Sequence, residues 1–247
     1  MSEQPQLSKR RRGIYLLPNL FTTAAMFAGF YAVTAAINHR FELAAIAVFV
    51  SMVLDGMDGR VARMTNTQSE FGGEYDSMSD LISFGVAPAV LIYIWSLSEM
   101  GKLGWVAAFV HCAGGALRLA RFNTQIGTAD KRYFQGLASP AAAAIIAGFV
   151  WLAMDQGWDG QALSYVSSVL AITTGLLMVS NIRYYSFKDI DLRGRMPFVK
   201  AILVMLAFAV IFTHPPVTLF VIFAGYAVSG PILTLWALRQ HRMGRKS

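Results

Sequence analysis

The sequence predicts an all-α fold: a polytopic membrane bundle of about eight transmembrane helices, with the N and C termini both cytoplasmic. Three observations carry that expectation. The first is composition. Of 247 residues, 55% are hydrophobic and only 14% charged, and the mean hydropathy is +0.49, whereas an ordinary soluble domain has about 25% charged residues. The second is a series of eight apolar runs, at 19–38, 41–60, 80–97, 103–121, 137–154, 162–181, 197–213 and 217–238. Several need their polar ends to reach the roughly 20 residues of a spanning helix. The third is charge placement. With the N-terminus inside, 19 of the 21 Lys and Arg residues fall in cytoplasmic segments, leaving only Arg40 and Lys102 outside, as the positive-inside rule requires.

Taken in order, residues 1–13 are polar and then basic (Lys9, Arg10, Arg11, Arg12) and read as a surface-lying lead-in. The apolar run that follows is long and has no evident cleavage site, so it reads as a first membrane helix and not a cleaved signal. Small residues such as Ala28, Gly29, Gly114 and Gly115 read as close helix-packing positions. The single cysteine, Cys112, excludes an internal disulfide framework. His111, in span four, is expected to pack or hydrogen-bond to a neighbouring helix. Pro88 and Pro231 are ordinary in membrane helices. The net charge of +7 lies in loops between apolar runs, which suits anionic lipid headgroups and argues against nucleic acid as a partner.

The second span is the informative one. Its uncharged run is only Leu43 to Leu54, so the helix must continue through Asp55 and Asp58 to reach the far surface. Those two carboxylates then lie about 5–10 Å inside the nominal interface, at 1.5 Å of rise per residue. Carboxylates at that depth need a water-filled cavity or a cation. They belong to a cluster: six of the fourteen acidic residues (Asp55, Asp58, Glu70, Glu74, Asp76, Asp80) lie between positions 55 and 80. Asp55 and Asp58 are three apart and Asp76 and Asp80 four apart, so each pair shares one helix face. Two such helices facing each other gather four carboxylates, which repel unless hard cations with oxygen ligands neutralise them. Gly56 and Gly59 leave the helix surface bare for a phosphate, and Arg63 offers a phosphate-directed fork. The competing reading is a solvated loop whose acids pair with Arg60 and Arg63. The shortness of the second apolar run speaks against it.

Asp55, Asp58-Gly59, Ala62-Arg63, Gly72, Asp76 and Asp80 resemble the signature D-x2-D-G-x2-A-R-x8-G-x3-D-x3-D of the CDP-alcohol phosphotransferase family, at every defined position and gap. The resemblance implies that Asp55, Asp58, Asp76 and Asp80 hold two divalent cations, Mg²⁺ or Mn²⁺. It also implies that Asp80 is the general base that deprotonates an acceptor hydroxyl. That hydroxyl attacks the β-phosphorus of a CDP-linked lipid and CMP leaves. Gly59, Ala62, Arg63 and Gly72 are implied to line the nucleotide pocket. The family's usual homodimer and six-helix core imply residues 14–190 as the catalytic core. Residues 191–247 would then be two additional helices and a basic tail.

Further segments are similar to the phosphatidylserine synthase branch of that family: LPNLFT at 17–22, RLARFN at 118–123, FQGLASPAAA at 134–143 and SNIRYYSFK at 180–188. The similarity implies CDP-diacylglycerol as donor and L-serine as acceptor. Asn19 and Thr22 would face the nucleotide. Arg118, Arg121, Asn123 and Asn181 would bind the serine. The same arginines also satisfy the positive-inside pattern, and glycerol 3-phosphate or inositol phosphate would equally attract them, so charge alone leaves the acceptor open. A cation transporter is the reading from another class, but transporter acids usually lie near the midplane and these cluster at one face.

Overall fold

A computed structural model of the protein describes residues 9–65, 69–124, 133–185 and, from 202 to 243, all but 203, 204, 207, 208 and 210. The start of the lead-in (1–8), Lys131 and Arg132, the basic residues from Lys188 to Lys200, the beginning of the seventh span and the tail (244–247) lie outside the described residues.

The bundle is all-α, with helix over the described part of each predicted span. α1 covers Lys9–Ile37, so the basic residues expected to lie on the surface are its first turns. It ends at a tight corner where His39 takes a left-handed φ of 57° and the Asn38 side-chain amide donates back to the Thr34 carbonyl at 2.7 Å. α2 runs Phe41–Thr65, straight through Asp55 and Asp58 as the length argument required. α3 occupies Glu70–Met100, beginning ten residues before the apolar run at 80. α4 is Lys102–Thr124, α5 Ser139–Asp155 and α6 Ser164–Val179. Described positions between 202 and 213 are helical, and α7 spans Pro215–Met243. Among the described residues, four segments (18–37, 70–100, 102–124 and 215–234) are long and apolar enough to cross a membrane, and α5 and α6 are shorter apolar helices.

One feature was not expected. Three-residue strands β1 (Tyr133–Gln135) and β2 (Arg183–Tyr185) form an antiparallel ribbon, with Phe134 opposite Tyr184.

Small residues set the packing. α1 lies along α2 through buried alanines such as Ala25, Ala32, Ala36, Ala44 and Ala45. Hydroxyls reinforce it: Ser51 of α2 and Ser83 of α3 both donate to the Ala25 carbonyl, at 2.8 and 3.3 Å, and Ser79 donates to the Thr22 carbonyl at 3.1 Å. α4 packs on α6 at a crossing where backbones nearly touch. A Cβ on Gly114 would lie 2.5 Å from the Gly175 carbonyl oxygen, and one on Gly175 would lie 2.4 Å from that of Val110. α7 lies against α5, with the Phe220 ring tilted against that of Phe149 at 5.8 Å between centroids.

α3 is not uniformly α-helical. Wide π turns occupy Leu81–Val86 and Tyr93–Leu97, and the first begins at the residue after Asp80. Such turns widen the hydrogen-bond ladder and occur often at functional sites. The fully buried His111 of α4 reaches this first turn. Its Nε2 donates to the Phe84 carbonyl at 3.1 Å, while Nδ1 lies 2.9 Å from the Thr174 hydroxyl of α6. With Nε2–H donating to a carbonyl, Nδ1 of the neutral ring accepts from Thr174. The expectation of a hydrogen bond to a neighbouring helix holds for both neighbours.

Candidate active site

The N-terminal half of α1, the end of α2, the start of α3 and the end of α4 meet at one end of the bundle. Ser69 begins α3 as its N-cap: its hydroxyl accepts from the Gly72 N–H at 3.0 Å, satisfying one of the helix's otherwise unpaired first N–H groups. That cap sets the phase of the helix, and Asp76 and Asp80, one turn apart, face α2.

Ligand oxygens of Asp55, Asp76 and Asp80 all lie within 4.8 Å of one another. Asp55 is within hydrogen-bonding reach of Asp80, and Asp58 of Asp76, so the acids face one another across the two helices, with Arg63 also within electrostatic reach of Asp58. Asp58 sits outside the group of three. It is buried, and the Thr22 hydroxyl of α1 donates to its Oδ2 at 2.7 Å. Oδ1 of Asp76 is buried and has no hydrogen-bond partner among the described residues. A buried carboxylate oxygen left unpaired, in a crowd of like charges, fits a hard cation with oxygen ligands. The cluster can therefore hold a metal ion.

Around the acids the surface is bare in the way a phosphate requires. No heavy atom outside the local backbone lies within 4 Å of a Cβ built on Gly56 or Gly73. Arg63 is exposed and folds back over Gly59, its Nη1 3.4 Å from where a Cβ would sit. Ala62, half-buried, lies between Gly59 and Arg63 on the same helix. A Cβ on Gly72 would lie 3.6 Å from the Asn19 side-chain oxygen, so Asn19 faces the start of α3. The Thr22 hydroxyl that donates to Asp58 also lies 3.2 Å from the Pro18 carbonyl of its own helix.

The four residues expected at the acceptor side have separate employments. Asn123, near the end of α4, accepts from the Ser77 hydroxyl at 3.2 Å and donates to Glu74 at 3.4 Å, tying α4 to α3. Arg121 works as a cap on α6. Nη1 donates to the Val179 carbonyl and to the Asn181 side-chain oxygen at 3.0 and 3.3 Å. Nη2 donates to the carbonyls of Gln135, Met178 and Ser180 at 3.1 to 3.3 Å. The carbonyl of Leu177 is taken by the Leu137 N–H at 2.9 Å, so the orphan carbonyls at this helix end are answered. Gly136 makes this possible. Its φ is +77°, and a Cβ there would stand 2.2 Å from the Met178 oxygen and 3.0 Å from Arg121 Nη2. Arg118 donates to the carbonyls of Gln135 and Gly136 at 3.1 and 3.2 Å, and it lies within electrostatic reach of Asp80, Arg121 and Tyr226.

Two contributors escaped the sequence reading: Ser77 and the Gln135–Gly136 carbonyls. Ser77, on α3 next to Asp76, carried a usable signal, because a serine one residue from a metal-face position can reach a neighbouring helix. The others depend on a non-local ribbon.

Fold and site together define an integral-membrane protein with a carboxylate centre, able to hold a cation, at one end of its helical bundle. A model of the CDP-alcohol phosphatidyltransferase family matches residues 15–229. The chain is 36% identical over 230 residues to the CDP-diacylglycerol–serine O-phosphatidyltransferase of Helicobacter pylori, covering 91% of this chain and 93% of that one. It is 32% identical over 236 residues to the protein of the same name from Mycobacterium tuberculosis, covering 92% and 76%. It is 41% identical over 142 residues to that of Methanocaldococcus jannaschii, covering 58% and 63%. The chain belongs to the CDP-alcohol phosphatidyltransferase family.

Proposed function

We propose that the protein transfers the phosphatidyl group of CDP-diacylglycerol to the hydroxyl of L-serine, giving phosphatidylserine and CMP. The observation that carries this reading is the convergence of Asp55, Asp76 and Asp80 from two helices beside the bare glycine surface. The names of relatives that align over nine-tenths of the chain support serine as the acceptor.

Asp55, Asp58, Asp76 and Asp80 hold the metal, with Thr22 fixing Asp58. The chemistry that a pair of Mg²⁺ or Mn²⁺ ions supplies there is charge neutralisation along the pyrophosphate and on the leaving oxygen. Asn19, Gly59, Ala62, Arg63 and Gly72 form the nucleotide side. Asp80 takes the proton of the serine hydroxyl, whose oxygen bonds to the β-phosphorus as the bond from that phosphorus to the oxygen of CMP breaks. A serine hydroxyl is a weak acid, so a carboxylate base depends on proximity and on the stabilised charge around it. Arg118 and its neighbours lie on the acceptor side, within reach of Asp80. The distribution of Lys and Arg supports an active site on the cytoplasmic face of the cell's inner membrane. A homodimer, and a six-helix catalytic core ending near residue 190, complete the proposal.

Purified protein given CDP-diacylglycerol and Mn²⁺ or Mg²⁺ is expected to release CMP when L-serine is added. Stimulation by glycerol 3-phosphate and none by serine would overturn the acceptor assignment.

A further inference from the structure

The two acid-bearing helices, α2 and α3, are both moored to one turn of α1. The Thr22 carbonyl accepts from the Ser79 hydroxyl of α3 at 3.1 Å, while the Thr22 side chain holds Asp58 of α2. One turn on, the Ala25 carbonyl accepts from Ser51 of α2 at 2.8 Å and from Ser83 of α3 at 3.3 Å. Thr22, Ala25, Ser51, Ser79 and Ser83 are all buried. A serine or threonine inside a helix commonly donates to the carbonyl four residues back, as Thr65 does to Val61 at 2.8 Å. Ser51, Ser79 and Ser83 instead send their hydroxyl hydrogens across to α1. Gly29, a further turn along, keeps the approach close, because a Cβ there would lie 2.5 Å from the Ser83 oxygen. Between helices in a membrane, where burial of apolar surface drives little association, hydrogen bonds and small residues decide the spacing.

The moored serines stand beside the acids. Ser51 is one turn before Asp55, Ser79 immediately precedes Asp80, and Ser83 lies in the wide turn Leu81–Val86 that follows it. Neighbouring positions on a helix point about 100° apart, so Ser79 seated on α1 leaves Asp80 to meet Asp55 of α2. The wide turn interrupts the regular ladder directly beyond Asp80, so the deeper part of α3 does not by itself fix the rotation of its first turns. From this arrangement we infer that the turn Thr22–Ala25 of α1 gauges the interval between α2 and α3, and that Ser79 is the positioning residue that carries this gauge to Asp80. The inference rests on the reading of the acids as a metal centre. Side-chain ends lie about 5–6 Å from a helix axis, so a roll of about 10° moves a carboxylate by about 1 Å. Mg²⁺ holds its ligands at about 2.0–2.1 Å in a near-octahedral shell, and a shift of that size takes an oxygen out of it.

The test is Mn²⁺ binding to the full-length protein in detergent–lipid micelles, read as free Mn²⁺ by electron paramagnetic resonance, together with the thermal midpoint. Wild type is compared with Ser79→Ala, Ser51→Ala and Ser96→Ala. Ser96 is the control: it lies on α3 far from the acids, is as buried as Ser79, and is bonded to the Gly160 carbonyl and the Ser167 hydroxyl. Ser79→Ala is expected to weaken Mn²⁺ binding about tenfold, the lower end of the loss when a metal ligand's supporting partner is removed. Ser51→Ala should weaken it less. Ser96→Ala should lower the thermal midpoint as much as Ser79→Ala does and keep the wild-type Mn²⁺ affinity. Wild-type affinity in a folded Ser79→Ala protein would overturn the inference. An equal loss of affinity in Ser96→Ala would also overturn it, by tracing the effect to general stability. If Ser79→Ala does not fold, Ser51→Ala decides: weakened binding supports the gauge and wild-type binding overturns it. Wild-type protein that binds no Mn²⁺ would sink the metal reading and the gauge with it, whereas saturable wild-type binding with unaltered variants sinks the gauge alone.

Discussion

Thr22 offers the sharpest test of how the metal centre is built. Its hydroxyl is buried on α1 and donates to Oδ2 of Asp58 at 2.7 Å, a contact by which α1 orients an acid of the cluster. Replacing it by valine keeps the shape and removes the donor. A hydrogen bond to a charged group is worth about 1.5–3 kcal/mol, and loss of a partner that orients a metal ligand costs roughly 10- to 100-fold in metal affinity. The Thr22→Val protein is therefore expected to bind Mn²⁺ roughly ten- to a hundredfold more weakly. This can be measured without turnover, by electron paramagnetic resonance of free Mn²⁺ titrated with purified protein. The Mn²⁺ concentration that half-saturates CMP release should rise in step. Thr22→Ser, which keeps the hydroxyl, should return both values to near wild type. Unchanged Mn²⁺ affinity in a folded Thr22→Val protein would refute the reasoning. So would a loss of thermal stability that Thr22→Ser shares.

Other expectations follow from the same geometry. Asp76→Asn should reduce CMP release to background with either metal, whereas chelation of wild type with EDTA should do so reversibly; full activity in Asp76→Asn would exclude it as a ligand. Gly175→Ala forces a methyl to 2.4 Å from the Val110 carbonyl oxygen and should destabilise the bundle by about 1–3 kcal/mol, read as a lowered thermal midpoint. Arg121→Lys loses a fork that serves four carbonyls, which a lysine's point charge cannot replace. It should cost about 2 kcal/mol or more in stability, measured by the same thermal assay in apo and substrate-bound protein.

What could be read from sequence was what depends on helical periodicity and on the cost of burying charge. Spacings of three and four placed Asp55 with Asp58 and Asp76 with Asp80, and the short apolar run of α2 required its helix to pass through the first pair. His111 was legible for the same reason, since a histidine inside an apolar helix must find partners. The start of α3 was harder. The stretch EFGGEYDSMSD is polar and contains two glycines, so hydropathy assigns it to a loop, whereas the Ser69 cap and packing on α1 make it helical. The ribbon was not legible at all. Its strands are three residues each, lie about fifty residues apart in the chain and gain their stability from pairing, not from local propensity. Because Arg121 takes its partners from that ribbon and from the end of α6, its capping task could not be told from acceptor binding by spacing alone.

The buried Tyr184 of β2 donates its hydroxyl hydrogen to the Ala227 carbonyl of α7 at 3.0 Å, and this contact bears on the order of manufacture. Thr22, Asp58, Asp76 and Asp80 have all been polymerised before the chain reaches α4, so the metal-binding half can assemble early in membrane insertion. The seat for Tyr184 at Ala227 and Gly230 comes only with the last helix, on the order of ten seconds later at typical synthesis rates of about 5–20 residues per second. A nascent chain in that interval carries the acids without that seat. Arrival of the helix that carries Ala227 and Gly230, and not the gathering of the carboxylates, is then the step that finishes the wall behind Tyr184.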